Sequence, residues 1–307
     1  MELRHLRYFV AAAEAENVSR AALRLHVSQP ALSRQIRDLE SELGFPLFER
    51  SAKSVRLTEA GRAFLAEAQA ILSRVEEGIK TAKAVATGRR IELHVGYAPS
   101  PTARIVPPTL RAFRARFPNV KVILHDLSTE EMLSRVRDGA LQLAFLAQPN
   151  RVMLRKLHFA ELARDAMCLA VPPDHALARG RSVSLEQAAR EPLVVFSQRE
   201  YPEYHEYLET SFRAINAKLQ VAQEHDSAAS LIAAIESGSG VAIVPQSFSC
   251  SSGQRLRLVP ISPSPSPLVI GAVWPKSGCT SAAQAFWNIA REVTSSAGFN
   301  PEAAPVP

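Results

Sequence analysis

The chain has 307 residues, of which 47% are hydrophobic and 21% charged, a composition typical of a soluble globular protein with two or three domains. The formal net charge is +6, and residues 1–90 hold 15 basic and 11 acidic side chains, a surplus compatible with a polyanionic partner. No run approaches the ~20 apolar residues of a membrane span, and the N-terminus lacks the apolar core of a secretion signal, so we expect a cytoplasmic protein without membrane contact. The cysteines Cys168, Cys250 and Cys279 lack metal-site or redox-pair spacing, so we expect no metal and no cofactor.

Three short helices are predicted over the first 44 residues. Apolar residues between positions 3 and 13 fall on one helical face, and Ser19 is a suitable N-cap for a second helix. A third helix begins after Ser28, carries Pro30 in its first turn and ends at Gly44. Its apolar residues are spaced by four, three and four positions, which predicts one packed face.

Two short helices, a tight turn and a third helix form a helix-turn-helix unit, whose last helix enters the DNA major groove with its N-terminus leading. Glutamine pairs with adenine and arginine with guanine through two hydrogen bonds each, and serine accepts either role. The residues near the leading end that we assign to DNA contact are Ser28, Gln29, Pro30, Ser33, Arg34 and Arg37. The alternative is the solvated face of an ordinary three-helix bundle.

The next segment, FPLFERSAKSVRLT, predicts a two-stranded wing. Val55 and Leu57 alternate around Arg56, as expected of a short strand. Arg50, Lys53 and Arg56 give the wing three cations suited to phosphates and the minor groove. A charged surface hairpin is the alternative.

A long helix is predicted from residue 59 to residue 88. Its apolar positions are separated by threes and fours along a narrow seam, longer than a single globular helix needs, and the helix measures roughly 45 Å at 1.5 Å per residue. We therefore expect it to pair with the same helix of a second chain and to present two recognition helices to a two-fold site. The residues assigned to dimerisation are Phe64, Ile71, Val75 and Ile79.

The run SRAALRLHVSQPALSRQIRDLESELGFPLFER, followed by VRLTEAG, resembles the N-terminal domain of LysR-type transcriptional regulators. The resemblance covers nearly the whole chain, because a linker helix and a two-lobed ligand domain follow in the same order. It implies that Gln29, Pro30, Ser33 and Arg34 lie on the DNA-reading element, with Arg50 and Arg56 at the wing. It also implies double-stranded promoter DNA as partner, a homodimer or homotetramer, and contact with RNA polymerase.

In the second half of the chain, short apolar runs alternate with helical stretches, which predicts parallel sheets with crossover helices. The expected fold class is α/β overall, with a winged helix-turn-helix, a long linker helix and a two-lobed effector domain resembling periplasmic binding proteins. The predicted domains are 1–58 for DNA binding, 59–88 for the linker, 89–300 for the effector domain and 301–307 for a disordered tail. Within the effector domain we predict lobe I at about 91–161 and 268–296, and lobe II at about 162–267.

Ligands of open α/β sheets bind beyond the carboxyl ends of the strands, against helix N-termini. The hydroxyl side chains predicted at those ends are Ser100, Thr102, Ser128, Thr129, Ser197 and, after Asp226, Ser227, and an N-cap role is the alternative for each. The family resemblance favours a ligand cleft and points first to Ser100 and Thr129, then to Thr102, Phe196 and Ser197.

Hydroxyls and free N–H groups at helix starts suit a carboxylate, so we expect an anionic effector. It would be aromatic if Tyr201, Tyr204 and Tyr207 border the cleft, although helical spacing also fits these residues to the core or the lobe surface. A thiol switch needs a close cysteine pair, and Cys168 and Cys250 are far apart in the sequence.

Three other classes of protein fit the sequence less well than a regulator does. An enzyme is disfavoured because the sequence contains no GxSxG, GxxxxGK[ST], GxGxxG or HExxH motif. A transport-type solute binder would account for the second half alone, and an architectural DNA protein for the first half alone. A transcriptional regulator that responds to a small effector accounts for both halves.

Overall fold

The structure is a computed structural model that describes residues 1–49, 56–86 and 90–296. It divides into two units, one built mainly from the first 89 residues and the other mainly from the rest. The predicted tail at 301–307 and the wing residues 50–55 lie outside the described residues.

The N-terminal unit consists of four helices and a short antiparallel bridge. The helices are α1 (Leu3–Ala15), α2 (Val18–Arg24), α3 (Gln29–Leu43) and α4 (Glu59–Ala86). The predicted N-cap Ser19 is wrong: Asn17 begins α2, and its side-chain oxygen accepts a hydrogen bond from the Arg20 amide at 3.0 Å. Asparagine and serine cap helices equally well, so the sequence pattern allowed both starts.

Two apolar clusters hold this unit together. One joins alanines of α1 and α2 to Leu32 and Ile36 on α3. The other places Phe9 at its centre, and the Phe9 ring lies 5.4 Å from that of Phe48. The Phe48–Leu57 bridge closes the base of the wing.

The second unit, built mainly from the residues after 89, is called the effector unit after its expected role. It contains ten strands and eight helices among the residues described. The strands are β1 (Ile91–Tyr97), β2 (Val120–Asp126), β3 (Leu143–Ala147), β4 (Leu157–Asp165), β5 (Met167–Val171), β6 (Leu193–Phe196), β7 (Val221–His225), β8 (Ala242–Pro245), β9 (Arg257–Pro260) and β10 (Leu268–Pro275). The helices are α5 (Pro99–Thr102), α6 (Val106–Arg116), α7 (Thr129–Arg137), α8 (Leu185–Ala188), α9 (Pro202–Ala214), α10 (Ala228–Glu236), α11 (Ser249–Ser252) and α12 (Ser281–Ser296).

Three sheets define the two lobes, one in lobe I and two in lobe II. Lobe I has the strand order β2-β1-β3-β10-β4, and lobe II joins β8-β5-β9 to β6-β7 through a bridge between Leu193 and Val241. The pairs β1–β2, β1–β3 and β6–β7 are parallel, as predicted. However, β10 runs antiparallel to β3 and β4, and β5 runs antiparallel to β8 and β9. The sheets are mixed because the chain leaves lobe I along β4 and returns along β10.

The boundary between the lobes lies later than predicted. Strand β4 pairs with β10 over its whole length, from Leu157 opposite Pro275 to Asp165 opposite Leu268. Lobe I therefore extends to Asp165, not to residue 161. The return crossover occupies residues 261–267, between the end of β9 and the start of β10.

Candidate nucleic-acid interface and effector cleft

Helix α3 begins and ends at residues with well-defined capping geometry. The Ser28 hydroxyl accepts a hydrogen bond from the Ala31 amide at 3.4 Å, and Pro30 occupies the first turn, where no intrahelical N–H is needed. Gly44 ends the helix with φ of 80°, a left-handed conformation that favours glycine. Leu32, with α3's other apolar residues, turns inward, so the polar start of the helix faces outward.

The side chains predicted to read DNA differ in how they are held. Gln29, Arg34 and Arg37 are exposed and Ser33 is half-buried. The Gln29 amide nitrogen donates to the Ser33 hydroxyl at 3.1 Å, and the Arg37 Nε donates to the Ser33 carbonyl at 3.2 Å. Among the described residues, the Arg34 guanidinium has no hydrogen bond or ion pair. Its donors are therefore available to an external acceptor.

The turn between α2 and α3 uses a non-glycine residue in the left-handed region. His26 has φ of 55°, and the Val27 amide donates to the Ala22 carbonyl at 3.0 Å. Such a conformation costs roughly 1–2 kcal/mol for a residue with a Cβ. The packing of α2 and α3 on α1 compensates for this cost and sets the direction of α3.

The predicted wing is described at its base. Arg50 and Lys53 lie outside the described residues, whereas Arg56 is exposed and its carbonyl accepts from the Glu49 amide at 2.8 Å. Sequence analysis did not single out Glu40, whose Oε1 accepts hydrogen bonds from the Leu47 amide at 2.7 Å and the Phe48 amide at 3.1 Å. Glu40 thus ties the start of the wing to α3.

The start of α4 is tied to the same segment. The Thr58 hydroxyl donates to the Pro46 carbonyl and accepts from the Gly61 amide, both at 2.9 Å. A Cβ on Gly61 would lie 2.0 Å from the Leu47 carbonyl oxygen, closer than two atoms can approach. Gly61 therefore allows the helix backbone to contact the wing segment directly.

One of the four predicted dimerisation residues packs within its own unit. The Phe64 ring lies 5.5 Å from that of Phe9, so Phe64 contributes to the intramolecular core, and its predicted contact with a second chain stays a prediction. Apolar periodicity along a helix does not distinguish the two destinations. Farther along α4, Val75 is half-buried, and Ile71 and Ile79 are 39% and 46% exposed.

The effector unit contains a cavity of about 630 Å³ between the carboxyl ends of strands from both lobes. We call this cavity the cleft. Lobe I contributes residues of α5 and of the start of α7, and lobe II contributes residues of α9, α10 and the Arg255 region. A volume of this size holds a small organic molecule.

Four of the six predicted effector residues line the cleft, namely Ser100, Ser128, Thr129 and Phe196. Thr102 does not, because it is fully buried and its hydroxyl donates to the Ala98 carbonyl at 2.6 Å. Ser197 also does not line the cleft: its amide donates to the His225 carbonyl at 2.7 Å, and its carbonyl accepts from the Glu200 and Tyr201 amides before α9. Neither residue is an N-cap, the alternative role that sequence analysis had left open; Ser128 has that role, as the N-cap of α7.

A hydrogen bond across the cleft joins the two lobes. The Thr129 hydroxyl, at the start of α7, donates to Oε1 of Glu203 in the first turn of α9, at 2.7 Å. Burial raises the pKa of Glu203 to about 7, and the hydrogen bond from Thr129 opposes part of that shift. Sequence analysis missed Glu203, because a glutamate in the first turn of a helix looks like an ordinary exposed residue.

The charges around the cleft argue against the predicted anionic effector. Besides Glu203, the carboxyl side chains in its lining are Asp126, Glu131, Glu200 and Asp226. Among the described residues, Arg255 is the one guanidinium in the lining, and it donates to the carbonyls of Ser251 and Ser252. Burial also raises the pKa of Asp126.

The three tyrosines have different positions. Tyr201 and Tyr204 line the cleft, whereas Tyr207 does not and donates its hydroxyl to the Ser266 carbonyl at 2.7 Å. The Tyr204 hydroxyl donates to the Ile243 carbonyl at 2.8 Å, which leaves only its ring to face the cleft.

Other features of the described residues bear on function. No group of three or more His, Cys, Asp or Glu side chains there could hold a metal ion. No helix within this part of the chain is long and apolar enough to cross a membrane. Cys168 is buried and Cys250 exposed, and both are free thiols.

The models of two known domain families match the chain. The model of the LysR substrate binding domain matches residues 86–295, and that of the bacterial regulatory helix-turn-helix protein, lysR family, matches residues 3–62. The chain belongs to the LysR family of transcriptional regulators. This LysR-type protein is a DNA-binding transcriptional regulator with an effector-binding domain, and the predicted fold class is confirmed.

Relatives of this LysR-type regulator match it along most of its length. The uncharacterized HTH-type transcriptional regulator YnfL of Escherichia coli (strain K12) is 35% identical over 277 residues, which cover 90% of this chain and 93% of YnfL. The HTH-type transcriptional regulator AlsR of Bacillus subtilis (strain 168) is 33% identical over 80% of this chain and 81% of its own. Full-length CbnR, solved in complex with its target DNA, has a TM-score of 0.60 and 28% identity, covering 95% of this chain and all of that one (100%).

Proposed function

We propose that this regulator reads a two-fold promoter site with the exposed start of α3 and with its wing, and that an effector bound in the cleft changes that interaction. The observation that carries the proposal is the Thr129–Glu203 hydrogen bond between the lobes, in a cleft that contains a further unpartnered hydroxyl. Each half of the proposal rests on different contacts.

The DNA-reading half is supported by the free donors at the start of α3. Arg34 is exposed and unpaired within the described part of the chain, and Gln29 is exposed beside Ser33. These groups have the geometry to contact guanine and adenine edges, while Ser28, Pro30, Arg37 and the wing cations Arg50, Lys53 and Arg56 contact the backbone or the adjacent groove.

The effector half is supported by competition at the Thr129–Glu203 pair. A ligand that bonds to either side chain changes the hydrogen bond that joins the lobes, and therefore has a different affinity for open and closed arrangements. A difference of a few kcal/mol is enough to shift such an equilibrium.

Self-association completes the proposal. Ile71 and Ile79 are large apolar side chains exposed on α4, and Val75 lies on the same helix. Pairing of this helix with that of a second chain would cover them and give a homodimer, with a homotetramer as the higher assembly. Contact with RNA polymerase then follows from the bound promoter, and the protein catalyses no reaction of its own.

The test is the double variant Ser100→Ala/Thr129→Val. We expect transcription from the promoter beside the gene, followed with a reporter across a panel of growth substrates, to lose its response in the variant. Operator binding by the purified variant should be retained, since these residues lie in the effector unit. The control Thr210→Val/Ser296→Ala makes the same chemical changes outside the cleft; a normal response in the first variant would contradict the proposal.

A further inference from the structure

Two buried polar atoms on side chains that line the cleft lack hydrogen-bond partners within the described part of the chain. They are Oε2 of Glu203 and Oγ of Ser100. Their side chains line the cleft, and Glu203 and Ser100 are only 8% and 5% exposed. A buried polar atom without a partner costs about 1–3 kcal/mol, so a ligand that supplies a partner gains binding energy there.

We infer that the effector carries a cationic nitrogen, such as a primary ammonium group, that donates to the free carboxylate oxygen of Glu203. This inference rests on the proposed function and assigns the chemical class of the effector. It replaces the anionic effector expected from the sequence.

The hydrogen-bonding capacity of the pair favours a donor over an anion. The single hydroxyl hydrogen of Thr129 is already donated to Glu203, so it is not available to a carboxylate ligand. An ammonium group offers three hydrogens, which suit the open lone pairs of Glu203.

The surrounding charges favour the same class. The titratable and charged groups that share the cleft with Glu203 or act on it are Asp126, Glu130 and Glu131 from lobe I, and Glu200, Tyr201, Tyr204, Asp226 and Arg255 from lobe II, with His205 beside it on α9. Glu203 also lines a second cavity, together with Arg151, Glu186, Glu206 and Tyr207. The buried imidazole of His205 contacts the Phe196 carbonyl at 2.6 Å, and the Arg255 guanidinium is held by backbone carbonyls. Carboxyl groups dominate, so a cation is attracted and an anion repelled.

The rest of the cleft suits an apolar body on the ligand. The Phe196 and Tyr201 rings lie 5.0 Å apart, and Ile232 and Leu268 also line the cleft. Aromatic rings near a cation add a favourable interaction. The effector is therefore an amine with an aromatic or aliphatic body.

The pH dependence of binding distinguishes amines from carboxylates, because their affinities change with pH in opposite directions. In the free protein the pKa of Glu203 is about 7, and a bound cation requires the ionised carboxylate. Amine binding therefore releases a proton below pH 7, and its affinity should rise up to about tenfold per pH unit on that side. A carboxylate bound to the protonated glutamate would show the reverse trend, with affinity falling as pH rises.

The experiment uses the full-length protein and sets of ligands that share a hydrocarbon body, beginning with benzylamine, benzyl alcohol and benzoate, and continuing with the cyclohexyl and butyl equivalents. Thermal stabilisation identifies binders, and calorimetry measures their affinity at pH 6 and pH 8. We expect amines to bind, with tighter binding at pH 8. We also expect Glu203→Gln to weaken them by tenfold or more, and Glu209→Gln, the same change on the exposed face of α9, to leave them unaltered.

Three outcomes would overturn the inference: stabilisation by carboxylates instead of amines, stabilisation by no amine in the panel, or amine binding that ignores both pH and the Glu203 substitution. If Glu203→Gln fails to fold, the pH dependence of the wild-type protein decides the question alone. A gel shift with promoter DNA, performed in parallel, tests the proposed function separately. If the protein still binds promoter DNA and carboxylates release it from the DNA, the proposed function stands and the amine is rejected as the class of effector.

Discussion

The start of α3 and the cleft are built in opposite ways. The α3 residues proposed to read DNA come from one segment of ten residues, 28–37, and their relative positions follow from helical geometry alone. The cleft draws its lining from segments between Ala98 and Leu268, and its central residues are buried. A surface made by one helix can be recognised from the sequence, whereas the charge of a cleft depends on tertiary contacts.

The largest expected effect is a loss of stability in the N-terminal unit. Gly61→Ala places a Cβ against the Leu47 carbonyl and should destabilise the N-terminal unit by about 3 kcal/mol, because both groups belong to the backbone. Hydrogen exchange of α1 and α3 amides measures the loss, and operator binding should fall with it. Gly78→Ala is the control. A Cβ on Gly78 would have no described atom within 4 Å apart from the backbone of its own helix, so this change should stabilise α4 by about 0.5–1 kcal/mol. Equal effects of the two changes would contradict this account of Gly61.

The second effect concerns the cleft and depends on pH. The unfolded chain releases the Glu203 proton near its ordinary pKa of 4.5, whereas the folded protein releases it at about 7. Between these values the folded state holds more protons, so stability falls as pH rises through this window, by up to about 3 kcal/mol. Glu203→Gln should flatten this part of the profile and be more stable than the wild type at pH 8.

Urea unfolding followed by tryptophan fluorescence measures this effect, because the chain's two tryptophans, Trp274 and Trp287, both lie in the effector unit. Glu209→Gln, on the exposed side of α9, should retain the wild-type profile. Parallel profiles for the wild type and Glu203→Gln would show that Glu203 is not the group responsible.

The third effect concerns the DNA-reading surface. Arg34→Ala should weaken specific operator binding by about 1–3 kcal/mol, since it removes the guanidinium that we propose contacts a base. Fluorescence anisotropy at one fixed salt concentration measures the change. Arg291→Ala removes the same charge from an exposed position on α12 and should have little effect. Equal affinity of Arg34→Ala and the wild type would remove Arg34 from the reading surface.

Local signals in the sequence were sufficient for α3. Ser28, Pro30 and Gly44 act through contacts within a few residues of themselves, and the structure places each as predicted. The Ser19 error is of the same local kind, since Asn17 is an equally good cap two residues earlier.

Non-local contacts explain the remaining differences. Phe64 shows helical periodicity, but only the position of Phe9 reveals which neighbour it packs against. Glu203 becomes part of a site only because folding brings it to Thr129, 74 residues earlier in the chain. Strand direction in the mixed sheets likewise depends on where the chain changes lobes.

The pairing of Asp165 with Leu268 places the outgoing and returning connections side by side. We expect two adjacent connections to restrict any relative rotation of the lobes to one axis through them, which then acts as a pivot. Leu268 also lines the cleft, which puts a bound molecule close to that pivot. A displacement of a fraction of an ångström there would be amplified at the far edges of the lobes by leverage.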